Sequence, residues 1–230
     1  PVAIDIIETS KIYDGNNEFN LENFIYNENS LEIVSGHSLK IKGYVEGINV
    51  QTYGEYVVSI KVFNDLEDVT DNYGFYYSSG RLKITPRPIE FEIIYTEKIY
   101  DGNNYFILNS QSKEGSLWLV DGEELIVNGS VSGVNVGLYE VIEHDVAIIN
   151  GLLENYTITS KVRDEVKITP RPITVKSASA TKIYDGTPLT KDGFEIISGE
   201  LVSTDEIKVT NLGTITNVGI TDNMFEYKIY

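Results

Sequence analysis

This 230-residue chain contains no cysteine. That excludes disulfides, thiolate metal sites and cysteine nucleophiles, and it removes the usual staple of small extracellular domains. Histidine is almost missing too. His37 and His144 have unlike neighbours, Ser and Gly around one and Glu and Asp around the other, and they read as surface residues rather than a metal or catalytic pair. No apolar run approaches the ~20 residues of a membrane span, and there is no signal-peptide pattern. Positive charge is scarce: 18 Lys and Arg face 35 Asp and Glu, for a net charge of −17. The first two thirds carry most of the excess, with 6 basic against 13 acidic residues in 1–85 and 6 against 14 in 86–169. Such a field repels nucleic acid and anionic lipid, so no nucleic-acid partner and no membrane insertion are expected. The acidic residues are scattered among polar and apolar ones, as on a solvated surface.

What is present is repetition. Lys11-Ile12-Tyr13-Asp14-Gly15 returns as Lys98-Ile99-Tyr100-Asp101-Gly102 and as Lys182-Ile183-Tyr184-Asp185-Gly186, at spacings of 87 and 84 residues. Lys83-Ile84-Thr85-Pro86-Arg87-Pro88-Ile89 returns 84 residues later as Lys167-Ile168-Thr169-Pro170-Arg171-Pro172-Ile173. A fixed period makes the repeat the unit of folding. The expected domains are 1–86, 87–170 and a C-terminally incomplete 171–230, each packed independently and set end to end. A unit of about 85 residues buries only roughly 60% of its unfolded surface, so each is of modest stability. Pro1 falls inside a repeat phrase, so the chain reads as a segment of a longer protein.

Alternation makes the units β-rich. Val2, Ile4 and Ile6, then Ile89, Phe91 and Ile93, then Ile173 and Val175 open the three copies with every second residue apolar, the signature of a half-buried strand. Sixteen tyrosines and eight phenylalanines favour the same reading. In Lys-Ile-Tyr-Asp-Gly, glycine supplies a positive φ, aspartate accepts a backbone N–H two residues on, and the tyrosine ring caps the core edge. Val58, Ile60 and Val62 alternate in the first copy, as do Phe225, Tyr227 and Ile229 in the third. A second turn recurs at Gly47-Ile48-Asn49-Val50, Gly133-Val134-Asn135-Val136 and Thr216-Asn217-Val218-Gly219, and Asn72-Tyr73 and Asn155-Tyr156 precede the closing strands. Helix has little support beyond one short turn, best placed around Leu21, Phe24 and Ile25, so five to seven short strands per unit are expected. Pro-Arg-Pro fixes φ on both sides of the arginine and gives a stiff, extended junction, unlike a Gly/Ser linker.

The Lys-Ile-Tyr-Asp-Gly phrase, the following Asn-Tyr and the closing Ile-Thr-Pro-Arg-Pro-Ile resemble the YDG/MBG-type tandem repeats of bacterial cell-surface, adhesin-like proteins. Thr181 to Leu189 is the stretch nearest that pattern. The first two copies depart from it with Asn-Asn after the glycine, and the third ends before the Asn-Tyr and closing-strand phrases. The resemblance implies β-rich units in an exported protein held at the cell wall, and it brings no catalytic residues. It leaves a β-grasp-like unit and an immunoglobulin-like sandwich both open.

Candidate chemistry is thin. Asp14-Gly15-Asn16-Asn17-Glu18, Asp101 to Asn104, and Asp65 through Asp71 and Asn72 offer hard oxygen ligands, which makes calcium the one candidate cofactor, although no stretch has EF-hand spacing. Tyr73, Tyr76 and Tyr77, with Tyr53 and Tyr56, form a candidate sugar-stacking cluster; Tyr156 alone matches it in the second copy, and cross-strand packing is the plain alternative. Lys11, Lys98 and Lys182 are candidates for an intramolecular amide cross-link. No carboxylate pair recurs in all three copies, and no catalytic residue is assigned. The expectation is a mainly β tandem array forming an elongated rod, a non-enzymatic stalk of a surface adhesin whose partners are its neighbouring repeats. Direct binding of host glycans, mucins or matrix protein is the alternative. An unfinished third copy would expose an unpaired sheet edge.

Overall fold

Alternating apolar residues become strands throughout the computed structural model, which describes residues 1–161 and 165–230. The first copy holds β1 (Val2–Ile6), β2 (Thr9–Ile12), β3 (Glu18–Asn20), β4 (Phe24–Tyr26), β5 (His37–Tyr44), β6 (Gln51–Tyr53), β7 (Val57–Asn64), β8 (Glu67–Asp68), β9 (Phe75–Ser78) and β10 (Leu82–Thr85). The second holds β11 (Arg87–Ile93), β12 (Thr96–Ile99), β13 (Tyr105–Leu108), β14 (Ser110–Ser112), β15 (Glu124–Val131), β16 (Gly137–Ile149), β17 (Tyr156–Lys161) and β18 (Glu165–Thr169). The third holds β19 (Thr174–Ser177), β20 (Leu189–Thr190), β21 (Phe194–Ser198), β22 (Ile207–Asn211), β23 (Thr214–Ile215) and β24 (Phe225–Ile229). The protein is mainly β, and among the described residues there is no α-helix. The first two copies exceed the expected strand number because each arm is broken by turns into short pieces.

The short helical turn sits elsewhere than expected. Phe24 and Ile25 lie in β4, paired antiparallel with β1, while single 3-10 turns form at Thr70–Asn72 and Leu153–Asn155, just before the two Asn-Tyr tyrosines.

The closing strands are central. β10 lies between β2, to which it is parallel, and β6, to which it is antiparallel; Leu82 faces Thr9 and Tyr53, and Ile84 faces Lys11 and Gln51. β18 repeats this arrangement between β12 and β16: Val166 faces Thr96 and Tyr139, and Ile168 faces Lys98 and Gly137. Leu82, Ile84, Val166 and Ile168 are all fully buried. Burying one such side chain is worth about 1.5–3 kcal/mol, so the closing strand is a principal source of stability in its copy.

The chain divides into two compact units. One comprises Pro1–Ile94, Asn109–Val127 and Asp145–Arg163; the other comprises Tyr95–Leu108, Asn128–His144 and Asp164–Tyr230. In the first unit β4-β1-β9, β2-β10-β6, β3-β5-β7-β8 and β14-β11-β17 form sheets. Its core gathers Val2, Ile4, Ile6, Phe19, Leu21, Leu82 and Ile84, and extends without interruption to Ile89 and Tyr156 of the second copy. This departs from the expectation of independently packed repeats: the first copy borrows apolar surface from the strands that follow it. In the second unit, Phe106, Leu108, Val131, Val166 and Ile168 occupy the positions of Phe19, Leu21, Val45, Leu82 and Ile84 and are likewise buried. The third copy is less covered. Tyr227 and Ile229 alternate with Glu226 and Lys228 as expected, yet both are exposed, because β24 pairs with β22 in a two-stranded sheet.

Candidate functional site

The recurring Lys-Ile-Tyr-Asp-Gly loops fold alike because each encloses its own cation. Lys11 Nζ donates to Asp14 Oδ1 at 2.7 Å, to both the carbonyl (2.8 Å) and side-chain oxygen (2.7 Å) of Asn16, and to the Glu18 carbonyl at 2.9 Å. Lys98 Nζ repeats the set on Asp101 Oδ1 (2.7 Å), Asn103 O (2.9 Å), Asn103 Oδ1 (2.7 Å) and Tyr105 O (2.9 Å). Lys182 Nζ keeps Asp185 Oδ1 (2.7 Å) and takes Thr187 Oγ1 (2.6 Å) in place of the asparagine. Phe19 and Phe106 lie under the first two ammonium groups, 5.0 and 4.8 Å from Nζ to ring centroid, adding a cation–π contact. The glycines hold φ of +76°, +79° and +78°, and the aspartates accept the N–H two residues on, as the turn chemistry requires.

The carboxylates respond to this cation. Burial works to raise the Asp101 carboxyl, but the Lys98 hydrogen bond and the Asn103 backbone N–H outweigh it and hold it below its ordinary value. The Lys182 hydrogen bond, joined by the Thr187 N–H and hydroxyl, holds Asp185 far below the usual carboxylate range. The oxygens that suggested calcium are therefore already engaged by an ammonium group. At Asp65 through Asn72, Asp68 is taken by Lys61 at 2.6 Å and by Thr70. Among the described residues, no group of three or more acidic or His side chains is placed to hold a metal ion.

The loops are also where one copy meets the next. Within the first unit, Tyr13 is 2% exposed, and its hydroxyl donates to Glu123 Oε1 at 2.6 Å. Tyr156 donates to the other oxygen of the same carboxylate, and the two rings meet edge to face at 5.5 Å. Burial first, then the hydrogen bond and charge of Glu123, push the Tyr13 phenol up to about 12, and Tyr156 moves in the same direction for the same leading reasons. Val120 fills the space above Gly15: a Cβ built on Gly15 would lie 2.6 Å from Val120 Cγ1. Arg87, the centre of Pro-Arg-Pro, donates to the carbonyls of Trp118 and Tyr13. Asn155, buried, accepts from Val50 N–H at 2.9 Å and donates to Asn49 Oδ1 at 3.0 Å.

The second unit repeats three of these four contacts. Tyr100 donates to Asp205 Oδ1 at 3.1 Å, a Cβ on Gly102 would lie 2.8 Å from Val202 Cγ1, and Arg171 Nε donates to the Glu200 carbonyl at 2.8 Å. Both partner segments read Leu-Val followed, two residues further on, by an acid: Leu119-Val120-Asp121-Gly122-Glu123 and Leu201-Val202-Ser203-Thr204-Asp205. His37 stands at the matching place after Val34 in the first copy. Its Nδ1 is 2.8 Å from Tyr73 Oη, which in turn accepts from Val34 N–H, as Tyr156 Oη does from Val120 N–H. The third copy's Tyr184 is 60% exposed, and no atom lies within 4 Å of a Cβ built on Gly186.

The other sequence candidates fall apart spatially. Tyr73 is committed to His37 and stacks on Phe75 at 6.2 Å; Tyr53 donates to the Asn49 carbonyl, and burial raises the Tyr56 phenol. Tyr76 and Tyr77 are exposed, successive residues of β9, so their side chains leave opposite faces of the strand. His144 lies exposed in β16. The lysine candidates for an amide cross-link are charged donors to several oxygens at once, and in the third copy a threonine replaces the amide partner. The arginine of Pro-Arg-Pro and the Leu-Val-x-x-acid segment were overlooked in the sequence; their signal was recurrence at 84 and 82 residues.

No family model, curated protein or solved structure matches this chain.

Proposed function

We propose that the chain is a structural stalk of an exported bacterial cell-surface adhesin, a rigid tandem array that holds a distal binding region away from the cell wall. The observation that carries this reading is the recurrence of one junction: tyrosine to carboxylate, glycine to valine, and arginine to carbonyl, at two successive repeat boundaries. An enzyme or a receptor concentrates unusual chemistry in one place; here the duplicated chemistry lies between repeats and is spent on fixing their joint. The acidic surface and the cation enclosed in each loop suit a protein exposed to a variable medium. Small-angle scattering on the intact chain tests the proposal: it requires a maximum dimension well above that of a 230-residue globule, and a compact envelope overturns it.

A further inference from the structure

The third copy contains a slot in which its two neighbours each hold a strand. In the first copy β10 occupies the space between Thr9–Ile12 and Gln51–Tyr53; in the second β18 occupies the space between Thr96–Ile99 and the start of β16. The recurring lysine and the Asn-Val turn carry these positions to Ala180–Ile183 and Gly219–Thr221. Both segments line one cleft of about 930 Å³, walled by Leu189, Ile215, Ile220, Met224 and Phe225. Neither segment is in a strand. Ile183 is 91% and Ile220 100% exposed, whereas the strand between their counterparts is fully buried. Removing the middle strand from a sheet leaves its neighbours roughly 10 Å apart, a gap that one further strand closes.

We propose that this cleft is a strand-acceptor site, and that its occupant is an extended segment of the chain's own closing type, Leu/Val-Lys-Ile-Thr. The register follows from the filled slots. The segment runs parallel to Ala180–Ile183 and antiparallel to Gly219–Thr221, with its first apolar residue opposite Ala180 and Thr221, and its isoleucine opposite Lys182 and Gly219. In the filled slots the final threonine hydroxyl donates to the lysine carbonyl at 3.1 and 3.0 Å, and the tyrosine N–H donates to the threonine carbonyl at 2.9 Å in both. Lys182 O and Tyr184 N–H stand at the same places. Backbone pairing supplies affinity, and the alternate apolar side chains supply specificity. A polar or charged peptide fails because its inward residues meet the apolar wall. The inference does not depend on the stalk reading: it concerns how the third copy is completed, whatever the array does.

The test uses the intact chain and a fluorescent peptide with the sequence of residues 80–88. The expected result is saturable binding, together with slowed amide exchange confined to residues 180–184 and 219–221. A peptide carrying aspartate at the positions of Leu82 and Ile84 should bind at least about tenfold more weakly. The Ile220→Asp chain should lose affinity similarly while keeping its fold, since that side chain is wholly exposed. Absence of saturable binding, equal binding of the aspartate peptide, or protection at another sheet edge overturns the proposal.

Discussion

Glu123 is the most informative residue to change, because one carboxylate accepts from two buried tyrosines that belong to different repeats. Truncation to alanine leaves the hydroxyls of Tyr13 and Tyr156 without their acceptor. A hydrogen bond to a charged group is worth about 1.5–3 kcal/mol, so Glu123→Ala should cost about 3–5 kcal/mol. Glu123→Gln keeps the shape and one acceptor but loses the charge, and should cost about 1 kcal/mol. A cycle with Tyr13→Phe should return a coupling of about 1–2 kcal/mol. Urea unfolding followed by the single tryptophan is the assay, since Trp118 lies at this junction and its carbonyl accepts from Arg87. The pH dependence has a definite sign. The Tyr13 phenol is raised to about 12 by burial and then by Glu123, so its folded value lies above its unfolded one. Its contribution is therefore complete below pH ~10 and is lost as pH climbs toward ~12. The glutamine variant should show a shallower loss. An alanine variant within about 0.5 kcal/mol of wild type, or glutamine as damaging as alanine, would refute the two-tyrosine account.

Gly15→Ala and Gly186→Ala place a methyl at nearly the same positive φ, but only the first meets Val120; differential scanning calorimetry should show a loss of about 1–2 kcal/mol at Gly186 and about 1–3 kcal/mol more at Gly15. Lys98→Met removes the donor shared by Asp101, Asn103 and Tyr105, so amide exchange across 101–105 should speed up at least about tenfold while distant strands keep their protection. Asp185 has a folded-state value far below its unfolded one, so its contribution is present above the ordinary carboxylate range and disappears only in strong acid; a carbon-13 titration should place its midpoint there, and Lys182→Met should return it to normal.

Local structure was legible wherever a residue's conformation is set by its immediate neighbours. The alternation of Ile89, Phe91 and Ile93 named a strand, and Asp-Gly named a turn with the correct φ and the correct N–H acceptor, because both follow from steric and hydrogen-bonding rules a few residues long. Calcium was the natural reading of Asp14-Gly15-Asn16-Asn17, and it gave way because Lys11 arrives from the preceding strand with its charge already in hand. The helical spacing of Leu21, Phe24 and Ile25 yielded to pairing with β1, a partner some twenty residues distant that local propensity does not sense. The junction was the hardest to see. Glu123 and Asp205 look like two more acids in an acidic chain, and only the position of a buried tyrosine over a hundred residues away gives them a role.

An ammonium group fastened to its own backbone cannot diffuse away. Repeats that use a bound ion to stiffen a loop soften whenever a chelator or a dilute medium strips it, and their rigidity then tracks the chemistry of the surroundings. Here the counter-charge to Asp14, Asp101 and Asp185 is written into the polypeptide, so these loops keep their shape equally in calcium-rich and calcium-poor fluid.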